Sequence, residues 1–440
     1  MINVRYLVRL SHAFITRFKI ILFSAFILGV IFFIFIRFFS PFRVFNHSEY
    51  IGLVGRYHVD ELPDLILTKV SDGLTKIDES GDINPSIAKR WDWQEDGKKW
   101  TFYLDENVKW QDGKKITSQS INYNFEDVKI DKPNQSTIVF TLKTPLSFFP
   151  AIVAKPIFRT GLLGTGKYKV AKISLNGEFV DKLIIRNSDG DNIVYKFYPT
   201  EDRAMLAFKT GEVDILESIL DDQPVLFWPT AKITKIDNPN QILIIFFNFE
   251  DKFLSERKLR QALSYAIDKE NLGQTRAYGP VSPTSWAYNP QVKPYDFDPQ
   301  RSKELIDQLE DPVKKNLELN LISSPILLDS AEKIANDWKR VGIKTNVKVS
   351  ASKPDQYQAY LAIIEIPRDP DQYAIWHSSQ TLTNITHYNN KRIDKLLEDG
   401  RFELNKEARK KIYLDFQRFL LEDAPAVFLS HPETYKIERR

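Results

Sequence analysis

The stretch Ile83–Thr117, INPSIAKRWDWQEDGKKWTFYLDENVKWQDGKKIT, contains four tryptophans and two Asp-Gly pairs, and it decides the fold. Within it, apolar residues alternate with polar ones over Trp100–Leu104, which is the two-residue period of a half-buried strand. The Asp-Gly pairs at 96–97 and 112–113 punctuate this strand and the next apolar segment, as the tight turns of hairpins do. The pattern predicts a twisted β-meander with one aromatic face.

The length and composition exclude several classes of protein. With 440 residues the chain is too long for one ordinary core, so two or more lobes are expected. It has no cysteine, which excludes disulfides, thiolate catalysis and cysteine-ligated metals. The N-terminal 48 residues carry six basic side chains and no acidic one, which leaves 55 basic against 58 acidic residues in the body. A slightly acidic body argues against nucleic-acid binding.

The N-terminal region predicts a membrane anchor. Residues 20–36 contain no charge, and the apolar run extends to residue 39 if Arg37 reaches the membrane interface. No small-x-small cleavage site follows, which favours an uncleaved anchor over a signal peptide. Four basic residues precede the run, so residues 1–19 are expected in the cytoplasm, 20–39 in the membrane and 40–49 in a linker. The body would then lie outside the cytoplasm.

The body carries alternating strand and helix signals. Thr200, Asp298 and Asn405 are predicted helix N-caps. Residues 241–249, QILIIFFNF, form an apolar run that predicts a fully buried strand, and residues 426–430 predict a closing strand. A mixed sheet followed by alternating strands and helices favours two α/β lobes, with the apolar run as the crossing between them.

A series of short motifs follows the aromatic block and resembles a known family. In chain order it includes residues 70–75 (VSDGLT), 164–168 (GTGKY), 211–214 (GEVD), 259–272 (LRQALSYAIDKENL), 369–371 (DPD) and 423–428 (DAPAVF). The series is similar to that of the family 5 extracytoplasmic solute-binding proteins, the oligopeptide- and dipeptide-binding components of ABC importers. The segment 259–272 is its most specific motif after the opening block.

The resemblance implies a class II bilobal clamshell of the periplasmic-binding-protein type. Residues 50–240 would form lobe I, to which 424–440 return, and residues 241–423 would form lobe II. A peptide or other small solute would be held between lobes that close by hinge motion, and the closed form would dock on an ABC permease driven by ATPase subunits. The segment 125–135 is short, so the extra domain of large peptide-binding members is reduced. The implied protein is a monomer without cofactor, metal or enzymatic activity.

One position departs from the pattern that the resemblance implies. Peptide-binding members have an aspartate three residues before the DP pair, where it pairs with the α-amino group of the peptide. In this chain the position is Ile366, and the nearest preceding carboxylate is Glu365. Because a buried ammonium needs a carboxylate partner, a cargo other than a free-amine peptide stays open.

The candidate ligand-binding residues come from loops and from the resemblance. Loop aromatics commonly line recognition clefts, although packing at lobe edges is the alternative interpretation. The resemblance places the region around the DPD motif at the cleft between the lobes. The candidates are Asp72, Trp286, Tyr288, Glu365, Asp369, Asp371, Trp376, His377 and Tyr388.

Other functions are weighed against solute binding. His377 and His387 lie near acidic residues in the sequence, but their spacing fits no compact metal motif. The HExxH and GxSxG signatures of metalloproteases and serine hydrolases are missing, so no catalytic residue is assigned. An anchored extracellular hydrolase that uses a carboxylate pair, as glycosidases do, stays open, as does a surface chaperone or sensor on the same scaffold.

Overall fold

The computed structural model describes residues 16–21, 23–31, 48–272, 275–311, 314, 317–350 and 354–440. Residues 49–188 and 193–440 pack as one compact unit, and the N-terminal residues with 189–192 form another. In the N-terminal unit, residues 16–21 and 23–31 are helical. Among the residues described, no helix has the length and apolar character needed to span a bilayer. The cytoplasmic segment, anchor and linker predicted at 1–19, 20–39 and 40–49 lie partly outside the described residues.

Nineteen strands are present in the described part of the chain. They are β1 Ser48–Val54, β2 Thr75–Ile77, β3 Ile83–Pro85, β4 Ala88–Gln94, β5 Lys99–Leu104, β6 Val128–Asn134, β7 Thr137–Leu142, β8 Lys169–Asn176, β9 Phe179–Arg186, β10 Asn192–Tyr198, β11 Ile215–Ile219, β12 Ala231–Asp237, β13 Gln241–Phe247, β14 Thr275–Arg276, β15 Glu318–Ser323, β16 Lys344–Val349, β17 Ala359–Glu365, β18 Ala426–His431 and β19 Glu433–Arg439.

Helices alternate with the strands along the body. They are α1 Asp64–Val70, α2 Phe149–Ile152, α3 Glu201–Thr210, α4 Arg257–Ala266, α5 Pro299–Asp307, α6 Leu328–Arg340, α7 Tyr373–Trp376, α8 Lys391–Phe402 and α9 Lys406–Asp423. Short 3-10 turns occur at Val59–Glu61, Glu95–Gly97, Ser118–Ser120, Gln223–Val225, Glu270–Leu272 and Pro325–Leu327.

The strands form two large sheets and two small ones. A seven-stranded sheet has the order β12-β19-β11-β1-β10-β9-β8, and a six-stranded sheet has the order β14-β18-β13-β17-β15-β16. A four-stranded antiparallel sheet, β4-β5-β7-β6, and the hairpin β2-β3 come from the chain between β1 and β8. We call the parts of the body built on the large sheets the seven-strand region and the six-strand region. The architecture is a mixed α/β fold.

The predicted buried strand is confirmed in β13. Its odd-numbered residues, from Leu243 to Phe247, pack against α4 and α6 in one apolar core. Its even-numbered residues, from Ile242 to Phe246, pack against α8 and α9 in another. A strand covered by helices on both faces needs apolar residues at every position, which explains the continuous run in the sequence.

The predicted helix starts are confirmed by their capping bonds. The side chains of Thr200, Asp298 and Asn405 accept the backbone N–H three residues later, at 3.4, 2.8 and 3.0 Å. Each bond satisfies a donor that the first turn of a helix leaves without a partner, and Pro299 follows Asp298 at a position where no N–H is needed.

The aromatic block forms less of a meander than the alternation predicts. β4 and β5 pair as a hairpin through the turn at 95–97, and the alternating apolar residues of β5 are buried as predicted. The other neighbour of β5 is β7, however, and not the segment around the second Asp-Gly pair. That segment makes its own tight turn, as the Asp-Gly pair predicts: Lys109 and Lys115 form an antiparallel bridge, and the Trp110 N–H donates to Lys114 O at 2.9 Å. The Trp110 side chain is buried, and its indole N–H donates to Ser120 Oγ at 3.1 Å.

The segment predicted to return to lobe I, 424–440, divides between the two large sheets. β18 pairs with β13 in the six-stranded sheet, whereas β19 pairs with β11 and β12 in the seven-stranded sheet. All six residues of β18 are buried, which suits a strand covered on both faces. The return to the first sheet therefore begins only at Glu433.

Candidate functional site

Asp369 is held in a buried ion pair with Arg409. Arg409 Nη1 lies 2.8 Å from Asp369 Oδ2, Nη2 lies 2.6 Å from Oδ1, and both side chains are less than a tenth exposed. Arg409 also donates from Nε to Gly400 O at 2.8 Å, and Asp369 Oδ1 accepts the N–H of Asp371 at 3.0 Å. Both carboxylate oxygens are thus bonded within the protein.

Asp371 forms a second pair, with Arg401 at the end of α8. Arg401 Nη2 lies 2.8 Å from Asp371 Oδ2, and its Nε donates to Oδ1 at 3.1 Å. The Arg401 guanidinium also lies 3.8 Å from the centre of the Tyr373 ring, a favourable cation–π distance. The two pairs tie the DPD loop to α8 and α9.

Trp376 and Tyr388 are buried in the core between β13 and the last two long helices. The Trp376 indole N–H donates to Gln372 Oε1 at 2.8 Å, and its ring packs against Phe246. The Tyr388 hydroxyl donates to Asp423 Oδ2 at 2.7 Å, and burial together with this bond raises the pKa of Tyr388. Both polar atoms are satisfied, as buried tryptophan and tyrosine usually are.

His377 is buried, and its Nε2 has no hydrogen-bond partner among the described residues. The Ser379 N–H donates to Nδ1 at 3.1 Å, which assigns Nδ1 as an acceptor and Nε2 as the protonated nitrogen. Nε2 lies 3.4 Å from Glu398 Oε1 and 3.9 Å from Asp394 Oδ1, without a hydrogen bond in the described structure. Among the described residues, no group of three histidine or acidic side chains is arranged to hold a metal ion.

Trp286 and Tyr288 lie in a loop that reaches the β2-β3 hairpin. The Trp286 ring lies 5.6 Å from the Arg409 guanidinium, and its backbone N–H donates to Ser80 O at 3.0 Å. Tyr288 is partly buried, and this burial raises its pKa. Trp286 therefore connects the Asp369–Arg409 pair to the hairpin.

Glu365 and Ile366 differ sharply in environment. Glu365 is exposed at the end of β17, whereas Ile366 is buried and its N–H donates to Asn240 O at 2.7 Å. Tyr57, which follows β1 of the seven-stranded sheet, has a pKa raised by burial and by the negative charge of Glu365. Glu365 therefore lies close enough to Tyr57 of the other region for its charge to disfavour the tyrosinate.

Asp72 lies where two of the sequence motifs meet. Thr165 Oγ1 donates to Asp72 Oδ2 at 2.9 Å, and the same oxygen accepts the Asp72 N–H at 3.0 Å. These bonds connect the turn at 70–75 to the turn at 164–168. The Asp72 side chain remains exposed.

The structure brings most of the candidates into the six-strand region. Those packed around the DPD loop and the helices next to it are Asp369, Asp371, Trp376, His377 and Tyr388. Trp286 joins this group through Arg409, while Asp72 and Glu365 stand apart with exposed carboxylates.

Two concave regions of the described structure are lined by none of the candidates. One is a cavity of about 10 Å³ beside Lys269 and Arg276, close to the room that a single water needs. The other is an open groove of about 780 Å³ between Trp93 of the four-stranded sheet and Phe402 of α8.

Comparison with known proteins decides the family. Residues 82–381 match the model of the bacterial extracellular solute-binding proteins, family 5 middle region. The chain belongs to this family. A heme-binding protein A of Haemophilus influenzae is 23% identical over 439 residues, covering 80% of this chain and 79% of the relative. A dipeptide-binding protein of Escherichia coli is 20% identical over 448 residues, covering 82% and 83%.

The fold agrees with the family. The crystal structure of NikZ from Campylobacter jejuni, in complex with Ni(L-His), matches with a TM-score of 0.75 and 23% identity, covering 90% of this chain and 94% of that one. At this identity the likeness establishes the fold alone.

The motif at 259–272 builds structure in this family 5 protein. The Arg260 guanidinium donates to the carbonyl oxygens of Leu254 at 2.8 Å and Asp423 at 2.7 Å. Lys269 Nζ donates to the carbonyl oxygens of Ser264 at 2.6 Å and Tyr295 at 2.7 Å; burial lowers its pKa to about 7. The two side chains hold chain segments together by donating to backbone carbonyl oxygens.

Arg401 and Arg409 are the residues that sequence reasoning missed. Arg409 shares a face of α9 with Tyr413, Phe416 and Leu420, at spacings of four, seven and eleven residues. A charged residue on an otherwise apolar face signals a buried partner. The sequence did not reveal that the partner was Asp369, forty residues away.

Proposed function

We propose that this protein captures a peptide-like solute between two lobes and delivers it to an ABC importer. The observation that carries the proposal is the family match over residues 82–381. The relatives are named for binding heme or dipeptides and not for a reaction, which supports a binding protein and not an enzyme. The partners are then permease and ATPase subunits, and the working unit is a single chain.

The seven-strand and six-strand regions are the proposed lobes. The chain passes between the two sheets at 238–240 and again at 432. The crossings are neighbours, since Asp237 pairs with Glu433 and His431 Nδ1 lies 2.9 Å from Gln241 O. Two short, adjacent connections are suited to a hinge, because small backbone changes there move whole lobes.

The proposed cargo is a solute whose recognition does not depend on a carboxylate at position 366. Ile366 is buried and apolar, so it offers no partner to an ammonium group. The exposed Glu365 is next to it, and its charge contributes to the raised pKa of Tyr57 in the other region; it is the carboxylate that we assign to the cargo cleft. Asp72, Trp286 and Tyr288 are proposed to border the same cleft, with Asp371, His377 and the other buried candidates behind them.

The N-terminal segment is proposed to be an uncleaved anchor. Residues 20–36 carry no charge, and the flanking basic residues favour a cytoplasmic N-terminus. Cell fractionation tests this directly. The full-length protein should remain with membranes at high salt and alkaline pH, and a variant that begins at residue 48 and is exported by an added signal peptide should be released. A native protein found shortened and free would contradict the anchor.

Solute uptake by cells tests the transport role. Deleting the gene should abolish the uptake of a labelled tripeptide pool at low concentration, and the reintroduced gene should restore it. An importer that works equally well without the gene would contradict the proposal.

A further inference from the structure

The turn of the β2-β3 hairpin is bonded to the six-strand region through its backbone carbonyls. Residues on two loops of the six-strand region donate to three hairpin oxygens. The bonds are Arg368 Nη1 to Ile77 O at 3.2 Å, Thr284 Oγ1 to Glu79 O at 2.9 Å and Trp286 N to Ser80 O at 3.0 Å. Lys406 of α9 adds an ion pair with Asp82 of the same turn. Every residue has a backbone carbonyl oxygen, so this contact could not be predicted from a sequence motif.

Gly81 allows the hairpin to approach this closely. Its φ of +82° is in the left-handed region, and a Cβ at this position would lie well inside 3.0 Å of the Arg368 carbonyl oxygen. The same Cβ would meet the Trp286 ring at 3.4 Å. The Trp286 contact is ordinary, so a side chain here would push the hairpin away from the loop that carries Arg368.

A second contact joins the turn after β7 to the end of α8. Ser147 donates its N–H to Arg401 O at 2.7 Å and its hydroxyl to Gly400 O at 3.2 Å. The Phe148 ring lies 5.4 Å from the Arg401 guanidinium and 5.8 Å from that of Arg409. The Asp–Arg pairs of the DPD loop thus support a surface on which this turn rests.

Both contacts arise from the chain between β1 and β8, and this chain is bonded to the seven-strand region. The hydroxyl of Thr75 in β2 bonds to Pro150 O beside the turn at 147–148, so the hairpin and the turn belong to one packed unit. The Gln111 amide of the same unit donates at 2.9 Å to Val70 O at the end of α1, which packs in the core of the seven-stranded sheet. Separating the seven-strand and six-strand regions would therefore have to break the hairpin and turn contacts.

We propose that the hairpin turn at 77–82 and the turn at 147–148 form a latch that holds the two lobes closed. The inference rests on the proposed clamshell, but it can be tested without knowledge of the cargo. The latch bonds exist only in the closed state. A variant that cannot form them destabilises the closed state alone, so the population shifts toward the open state. The DPD loop then serves closure, and its aspartates position the arginines on which the latch rests.

The test measures the distance between the regions in the full-length protein without solute. Because the chain has no cysteine, Glu106→Cys and Glu332→Cys introduce two unique spin-label sites, both exposed, one in the turn after β5 of the four-stranded sheet and one on α6. Gly81→Ala in this background should lengthen and broaden the distance distribution measured by double electron–electron resonance. Gly113→Ala is the matched control, since Gly113 has the same φ of +82° but nothing within 4 Å of a new Cβ.

A double variant keeps the test decisive if Gly81→Ala does not fold. Thr284→Val with Lys406→Gln removes two side-chain contacts of the latch without changing the backbone, and it should shift the distribution in the same direction. Distributions equal to that of the Gly113→Ala protein would overturn the latch. Solute binding with normal affinity alongside unchanged distributions would overturn the latch alone, whereas a protein that binds no solute would refute the proposed function.

Discussion

Arg409 and Asp369 form a two-bond ion pair, at 2.6 and 2.8 Å, with both side chains less than a tenth exposed. The aspartate was a candidate for binding solute. In the latch that we propose, its partner on α9 makes it part of the frame behind the latch. Each charge alone would be costly to bury, so the loss of either partner leaves the other as an uncompensated buried charge.

Removing one partner of this pair should be strongly destabilising. Arg409→Met leaves the Asp369 carboxylate buried without a cation, and we expect a loss of about 3–5 kcal/mol in the free energy of unfolding. Arg418→Met is the control, because Arg418 pairs with Asp415 on the exposed side of the same helix and should cost less than about 1 kcal/mol. Urea unfolding followed by tryptophan fluorescence measures both. Equal losses in the two variants would contradict the assignment.

Trp376 should matter for stability more than for binding. The side chain is 1% exposed, so Trp376→Ala opens a large cavity and should cost about 3–5 kcal/mol. Trp93→Ala, at a side chain that is 49% exposed, should cost much less. Thermal unfolding compares the two variants. A Trp376→Phe protein of near-normal stability that has lost its solute affinity would show that Trp376 contacts the cargo.

His431, next to the proposed hinge, should make the stability of the protein depend on pH. Burial lowers the pKa of His431 below its usual value near 6.5. The hydrogen bond to Gln241 O raises this pKa and the Arg276 charge lowers it, and the net shift is downward. As pH falls below about 6.5, the unfolded chain takes up a proton that the folded protein does not, so stability declines toward the folded pKa. His431→Gln should lose this part of the decline. The free energy of unfolding of both proteins is measured between pH 7.5 and 5. The same pH dependence in the two proteins would contradict the prediction.

Glu365 should contribute to solute affinity. Glu365→Gln keeps the size of the side chain and removes its charge, so a solute with a cationic group should bind about tenfold more weakly, a change of about 1.4 kcal/mol. Calorimetric titration measures the effect. Glu61→Gln, at an exposed site in the 3-10 turn after β1, is the control and should bind normally. A Glu365→Gln protein with unchanged affinity would remove this residue from the cleft.

The sequence predicted local structure better than it predicted partners. Thr200, Asp298 and Asn405 act within one helical turn, and such short-range chemistry can be read from neighbouring residues. The burial of all six residues of β18 could not be predicted in this way, because it depends on pairing with β13, which lies about 180 residues earlier. The aromatic block illustrates both cases, with its first hairpin predicted correctly and its third strand supplied by β7 from further along the chain.

The candidate site shows the same limit. Loop aromatics and acidic residues suggested a cleft, yet Trp376 and Tyr388 are core residues and Asp369 is paired across forty positions. Contacts between distant segments, including the backbone bonds of the hairpin at 77–82, depend on the assembled fold and not on residue type.

The most direct test of the account is calorimetric titration of the full-length protein with tripeptides to pentapeptides, alongside heme and nickel with L-histidine. We predict saturable binding of a peptide class, with a gain of about 2.7 kcal/mol in stability at a hundred times the dissociation constant. Binding of heme or the nickel complex with no response to any peptide would contradict the peptide assignment. A protein that responds to none of these solutes would contradict the central claim.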